Sequence, residues 1–142
     1  MLGMTEEGRY ALRFERHLPY PRHKVWRALT DKSELRAWFV SVVDYDRTDF
    51  EPAKNANLTF AYATGDTPGH GVVTEYDPPN LLEYTWDNET LRWELTEDGE
   101  NACTLVFVTT FDDKDMSGPL SEGWSTGLDQ LADHLGKHPA QH

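Results

Sequence analysis

The sequence predicts an α+β fold: helices gathered on one face of an antiparallel sheet, with one long helix closing the chain. Three observations carry this. Residues 121–136 hold the only long helical pattern, with Trp124, Leu128, Leu131, Ala132 and Leu135 on one face. Most of the chain before them alternates apolar and polar residues with the period of a strand. Turn clusters divide those runs at roughly ten-residue spacing, as in an antiparallel meander. A long helix laid on a curved sheet of this kind often leaves a cavity between the two.

The elements follow in order. Residues 9–18 alternate, with Tyr10, Leu12, Phe14, Arg16 and Leu18 on one face, and Pro19-Tyr20-Pro21 ends this strand. Pro21 suits the first turn of a helix, and Val25, Trp26 and Leu29 form its short apolar stripe. Asp31 or Ser33 can cap a second short helix over residues 34–39, with Leu35, Trp38 and Phe39 inward. Val42, Val43 and Tyr45 suggest a short strand, and residues 44–57 an irregular acidic edge. Leu58, Phe60 and Tyr62 share a strand face before the turn cluster at residues 65–69. A strand over 71–76 leads to the turn Asp77-Pro78-Pro79-Asn80. Leu82, Tyr84 and Trp86 then face one way, and Leu91, Trp93 and Leu95 answer across a tight connection at residues 87–89. The last strand, 103–111, turns Leu105, Phe107 and Phe111 to one side. The closing helix takes Ser121 as N-cap and Gly136 as its terminating glycine, with Pro139 forbidding continuation. One domain over residues 9–137 is expected, with tails at 1–8 and 138–142.

Composition excludes several classes of function. The 142 residues carry a net charge of −12, the wrong sign for nucleic acid or an anionic membrane surface. No apolar run approaches membrane-spanning length, and the N-terminus lacks the pattern of a signal peptide. Cys103 is the only cysteine, which fits a reducing, cytoplasmic setting. Five tryptophans and an aromatic content of 12% place much of the apolar surface in large rings.

A local signature runs from Arg16 through Pro21, Val25-Trp26-Arg27-Ala28-Leu29-Thr30 and Trp38-Phe39. It continues in Val73-Thr74-Glu75-Tyr76-Asp77-Pro78-Pro79, Leu82-Glu83-Tyr84-Thr85-Trp86, Thr104-Leu105-Val106-Phe107 and Glu122-Gly123-Trp124. From about Tyr10 to Leu135 the chain resembles the SRPBCC (START/Bet v-like) superfamily. Within it the match is to the branch named after Aha-type activators of the ninety-kilodalton heat-shock-protein ATPase. The resemblance implies the helix-grip fold: about six to seven strands wrapped around the C-terminal helix, with two short helices after the first strand. The branch name also brings a stress-response role into view. Two departures stand out. A Gly-Gly pair frequent before the third strand reads Asn55-Ala56-Asn57 here. Co-chaperones of that name carry an additional N-terminal domain, for which this length leaves no room.

Few residues offer chemistry. His134 and His138 stand four apart without a third ligand, so surface histidines are the simpler reading and no metal is expected. Cys103 reads as a small buried hydrophobe, Ser117 and Ser121 as turn and capping residues. No phosphate loop or nucleophile elbow is present. Glu83, Asp87 and Glu94 alternate with apolar residues and read as a solvated outer face. The inward rings remain, either as core or as the wall of a cavity. The candidate ligand-binding residues are Trp38, Phe39, Phe60, Tyr62, Tyr84, Trp86, Trp93, Phe107, Trp124 and Leu128. Arg16 and His70 are the candidate polar groups among them. The expected function is binding of a small apolar or aromatic molecule, by a monomer or weak homodimer without a cofactor. The alternatives are a polyketide-cyclase or hydratase type of enzyme and a co-chaperone or protein-interaction module.

Overall fold

The computed structural model describes residues 2–4, 8–65 and 67–137. Seven strands form one antiparallel sheet: β1 (Leu2–Met4), β2 (Tyr10–Leu18), β3 (Asn57–Phe60), β4 (Gly69–Asp77), β5 (Leu81–Trp86), β6 (Glu89–Glu97) and β7 (Cys103–Phe111). Their order across the sheet is β1-β2-β7-β6-β5-β4-β3. Helices α1 (Arg22–Thr30) and α2 (Lys32–Trp38) follow β2, and α3 (Ser117–Lys137) ends the described chain. This is the α+β helix-grip arrangement.

Alternation on the strands decides what faces α3. On β7, Cys103, Leu105, Phe107, Thr109 and Phe111 are all buried, and the residues between them only half so. Register then stacks inward rings across strands: Phe14 pairs with Phe107, Phe107 with Trp93, and Trp93 with Leu82. Leu128, Leu131 and Leu135 of α3 close the core from the other side. Burying so many large side chains is the main stabilising force of the fold. Lys24 ties the helices together, donating from Nζ to the Leu135 carbonyl at 3.0 Å with its ammonium over the Tyr20 ring.

Several boundaries differ from the sequence expectation. Helix α3 starts at Ser117, four residues early, because Asp113 accepts from the Asp115 amide and opens a 3-10 turn (Lys114–Met116) that runs into it. Pro119 lies in the first turn, where its missing N–H costs no helix hydrogen bond. Ser121 is therefore inside the helix rather than its cap, and Gly136 precedes its last residue. Residues 42–45 form no strand; Val43 makes one isolated bridge to Tyr62, while Tyr45 and Phe50 are buried from an irregular loop. Asp31 does cap α2, accepting from the Ser33 amide at 2.9 Å. The first eight residues read as a tail, yet Leu2–Met4 pairs along β2 as an edge strand. The Gly-Gly substitution Asn55-Ala56-Asn57 is accommodated by Asn55, which takes φ +65°; asparagine tolerates that left-handed region better than most residues. His138 and Pro139 lie outside the described residues.

Candidate functional site

A cavity of about 870 Å³ opens between the first half of α3, the segment after α2, and the β5–β6 end of the sheet. Its wall has three sources. Trp38, Phe39 and Val40 come from the end of α2, where Asp31 capping sets the helix. Trp86 comes from the end of β5, Tyr62 from the segment just after β3, and Phe111, Leu120 and Trp124 from the end of β7 and from α3. Ser41, Val42 and Met116 are exposed at the rim. The helix contributes space as well as surface, because Gly123 and Gly127 both line the cavity and carry no side chain.

The rings brace one another. Trp86 stacks on Phe60 at 4.1 Å between centroids and donates from Nε1 to the Tyr62 hydroxyl at 2.9 Å. Phe39 bridges this group to the other, touching Trp86 at 5.9 Å and Trp124 at 5.7 Å. Trp38 is held by donating from Nε1 to the Ala28 carbonyl at 2.9 Å. Such mutual contacts fix ring orientation before any ligand arrives, which lowers the cost of binding.

Of the residues picked from sequence, Trp38, Phe39, Tyr62, Trp86 and Trp124 line the cavity. Phe60, Tyr84, Trp93, Phe107 and Leu128 are 2% exposed or less and lie behind that wall in the closed core. There Trp93 stacks on Phe107 at 4.0 Å with its Nε1 buried. Burial pushes the neighbouring Tyr84 phenol well above its ordinary value, with the Trp93 indole opposing. Arg16 and His70 are not part of the lining. The Arg16 guanidinium lies over Phe14 at 5.9 Å and donates to the Glu15 carbonyl. His70 is exposed on β4, with its backbone joined to Asp87.

The carboxylates of the lining escaped the sequence reading, and Glu89 is the one drawn into the wall. Glu89 begins β6 and turns inward with Leu91, Trp93 and Leu95. Its Oε2 accepts from the Thr109 hydroxyl and from Trp124 Nε1, the latter at 3.1 Å. Burial raises its pKa; the bonds from Thr109 and Trp124 and the charge of Arg9 pull the other way. Of the three carboxylates read as an outer face, Glu83 and Glu94 do flank Arg92 there, at 3.1 and 3.4 Å, whereas Asp87, in the turn before β6, lines the cavity. No group of His, Cys, Asp and Glu among the described residues is arranged to hold a metal ion. Cys103 is buried, and burial pushes its thiol up to about 11.

Known proteins share this fold. The family model described as activator of Hsp90 ATPase homolog 1-like protein matches residues 19–136, most of the chain. The chain belongs to that family. No curated protein matches it. Among solved structures of this fold, MLL2253 from Mesorhizobium loti is 22% identical with a TM-score of 0.75, over 90% of this chain and 98% of that one. Protein EF2215 from Enterococcus faecalis, of unknown function, is 20% identical with a TM-score of 0.77, over 99% and 78%. CalU16 from Micromonospora echinospora is 19% identical with a TM-score of 0.72, over 94% and 82%. At these identities the likeness is one of fold. The family therefore fixes the scaffold, an SRPBCC helix-grip domain, and the chemistry must be argued from the cavity itself. No helix of the described residues is long and apolar enough to cross a membrane.

Proposed function

We propose that this family member binds a small, largely aromatic molecule in the cavity under α3. The carrying observation is the cavity itself: about 870 Å³, walled by braced rings and opened by two helix glycines. That volume suits a small organic ligand, and a mostly apolar wall with few polar groups is the usual make-up of such sites. The reading includes a cytoplasmic setting, with which a single buried thiol agrees.

Native mass spectrometry of the protein purified from its own source tests the proposal. A small mass that is lost on denaturation is the expected result. Gly127→Leu, which sends a side chain into the cavity, is expected to abolish that mass. An adduct retained in full by Gly127→Leu would place the ligand elsewhere and overturn the reading.

A second reading, chemistry on the bound molecule, is favoured by one observation. Glu89 places a carboxyl with a raised pKa among the rings, the kind of environment in which carboxyl groups act as acids and bases. Incubating the extracted ligand with fresh protein separates the two. Return of the ligand unchanged means binding; conversion by the wild type and not by Glu89→Gln means catalysis.

A further inference from the structure

The cavity is aromatic in shape but one-sided in charge. Asp87, Glu89, Asp112, Asp113 and Glu122 line it, and no lysine, arginine or histidine among the described residues does. Glu89 is the member drawn furthest from water. Both donors it receives, from Thr109 and Trp124, are neutral and go to Oε2. Oε1 accepts from no donor among the described residues, although Glu89 is part of the cavity wall. Arg9 acts on Glu89 through its field. Its hydrogen bonds go to Asp112 at 2.7 Å, to the Thr90 hydroxyl, and to the Asn88 and Thr110 carbonyls.

A carboxylate taken out of water with only neutral donors is incompletely compensated. A cation in the cavity would compensate it. The rings would favour the same sign, because indole and phenyl faces attract cations. An anionic ligand would instead meet five carboxylates, of which Asp112 is ion-paired with Arg9, and no basic side chain in the lining, so the lining discriminates by repulsion as well as attraction. A neutral hydroxyl would satisfy Oε1 but leave the charge unmatched.

Resting on the cavity reading above, we propose that the ligand is a small aromatic ammonium ion, its ring held among Phe39, Trp86 and Trp124 and an N–H donated to Glu89 Oε1. The aromatic body supplies the contact area, and the ammonium supplies a counter-charge inside the cavity, whose lining holds none among the described residues.

Three probes of one shape and different charge test this by titration calorimetry at neutral pH and low salt. They are 1-naphthylmethylamine, 1-naphthalenemethanol and 1-naphthoate. The amine is expected to bind the wild-type protein about tenfold more tightly than the alcohol, with the naphthoate weakest. Glu89→Gln is expected to remove most of that preference, weakening the amine by about tenfold and changing the alcohol by less than about threefold. Equal binding of all three, or a preference for the amine that survives in Glu89→Gln, overturns the ammonium assignment and leaves the cavity reading standing. Failure of all three to bind overturns both. Should Glu89→Gln not fold, the wild-type order decides: alcohol or naphthoate binding as tightly as the amine overturns the proposal.

Discussion

Glu89 is an acid that folding makes harder to ionise, and that has a consequence for stability. Its folded pKa is raised, chiefly by burial. Such a group contributes stability below its unfolded pKa and loses it as pH rises through the folded value, so at neutral pH the ionised side chain is a net cost. Glu89→Gln keeps an oxygen for Thr109 and Trp124 and removes the charge. The variant is expected to be more stable than wild type at neutral pH, with the gap closing towards about pH 4, near the unfolded carboxyl pKa. Urea unfolding of both proteins at the two pH values measures this. A wild type that is the more stable at neutral pH would mean that its bonds outweigh its burial. The residue was legible in principle: Leu91, Trp93 and Leu95 face inward, and Glu89 stands two positions before them. Reading residues 87–89 as a tight turn hid it, whereas only Asp87 and Asn88 lie between β5 and β6.

At the scale of elements, α3 shows what periodicity gives and what it omits. The stripe of Trp124, Leu128, Leu131 and Leu135 is buried as its spacing requires. Its start was not legible, because Ser117-Gly118-Pro119 looks like a loop until the 3-10 turn before it is known. A cavity under the helix was expected, but its extent and walls were not legible. It depends on the absence of side chains at Gly123 and Gly127, and on a loop between α2 and β3 that has no period to read. Rings on one strand face also gave no way to separate wall from core, since Phe60 and Trp86 stack directly but only Trp86 lines the cavity. Glycine is here a cost to the helix that buys room. A methyl group at Gly127 would meet only Trp124, at 3.9 Å. Gly127→Ala is therefore expected to stabilise the protein by about 1 kcal/mol, the helix-propensity difference, as read by urea unfolding. A loss of stability would show that the site needs glycine for more than space. Gly71 is the opposite case. A Cβ there would lie 1.8 Å from the Thr85 carbonyl oxygen, so β4 must shift away from β5. Gly71→Ala is expected to cost about 1–3 kcal/mol in the same assay, the usual range for forced overpacking; an unchanged midpoint would show that the strand yields freely.

For the whole molecule, charge is the quantity that sequence alone determines. With 25 acidic and 13 basic residues, pairing every base would still leave twelve acids unmatched. Many ion pairs are exposed, among them Arg36–Asp46 and Arg13–Glu15, and exposed pairs contribute little. Self-repulsion should therefore exceed local attraction. Raising sodium chloride from about 10 mM to about 150 mM is expected to raise the thermal midpoint, because it brings the screening length down to about 8 Å. A lower midpoint in salt would mean that the local pairs dominate. The arrangement of rings has a consequence of another kind. Trp38, Trp93 and Trp124 stand within about 6 Å of a neighbouring indole, and Phe39 joins Trp86 to them. Trp26 sits apart, against Tyr76. Three of the five indoles thus line one opening with Trp93 packed behind them, and the fifth is a built-in reference. Light absorbed by any of the four can migrate to the one nearest an occupant, so the protein's own emission reports, without a label, when the cavity is filled.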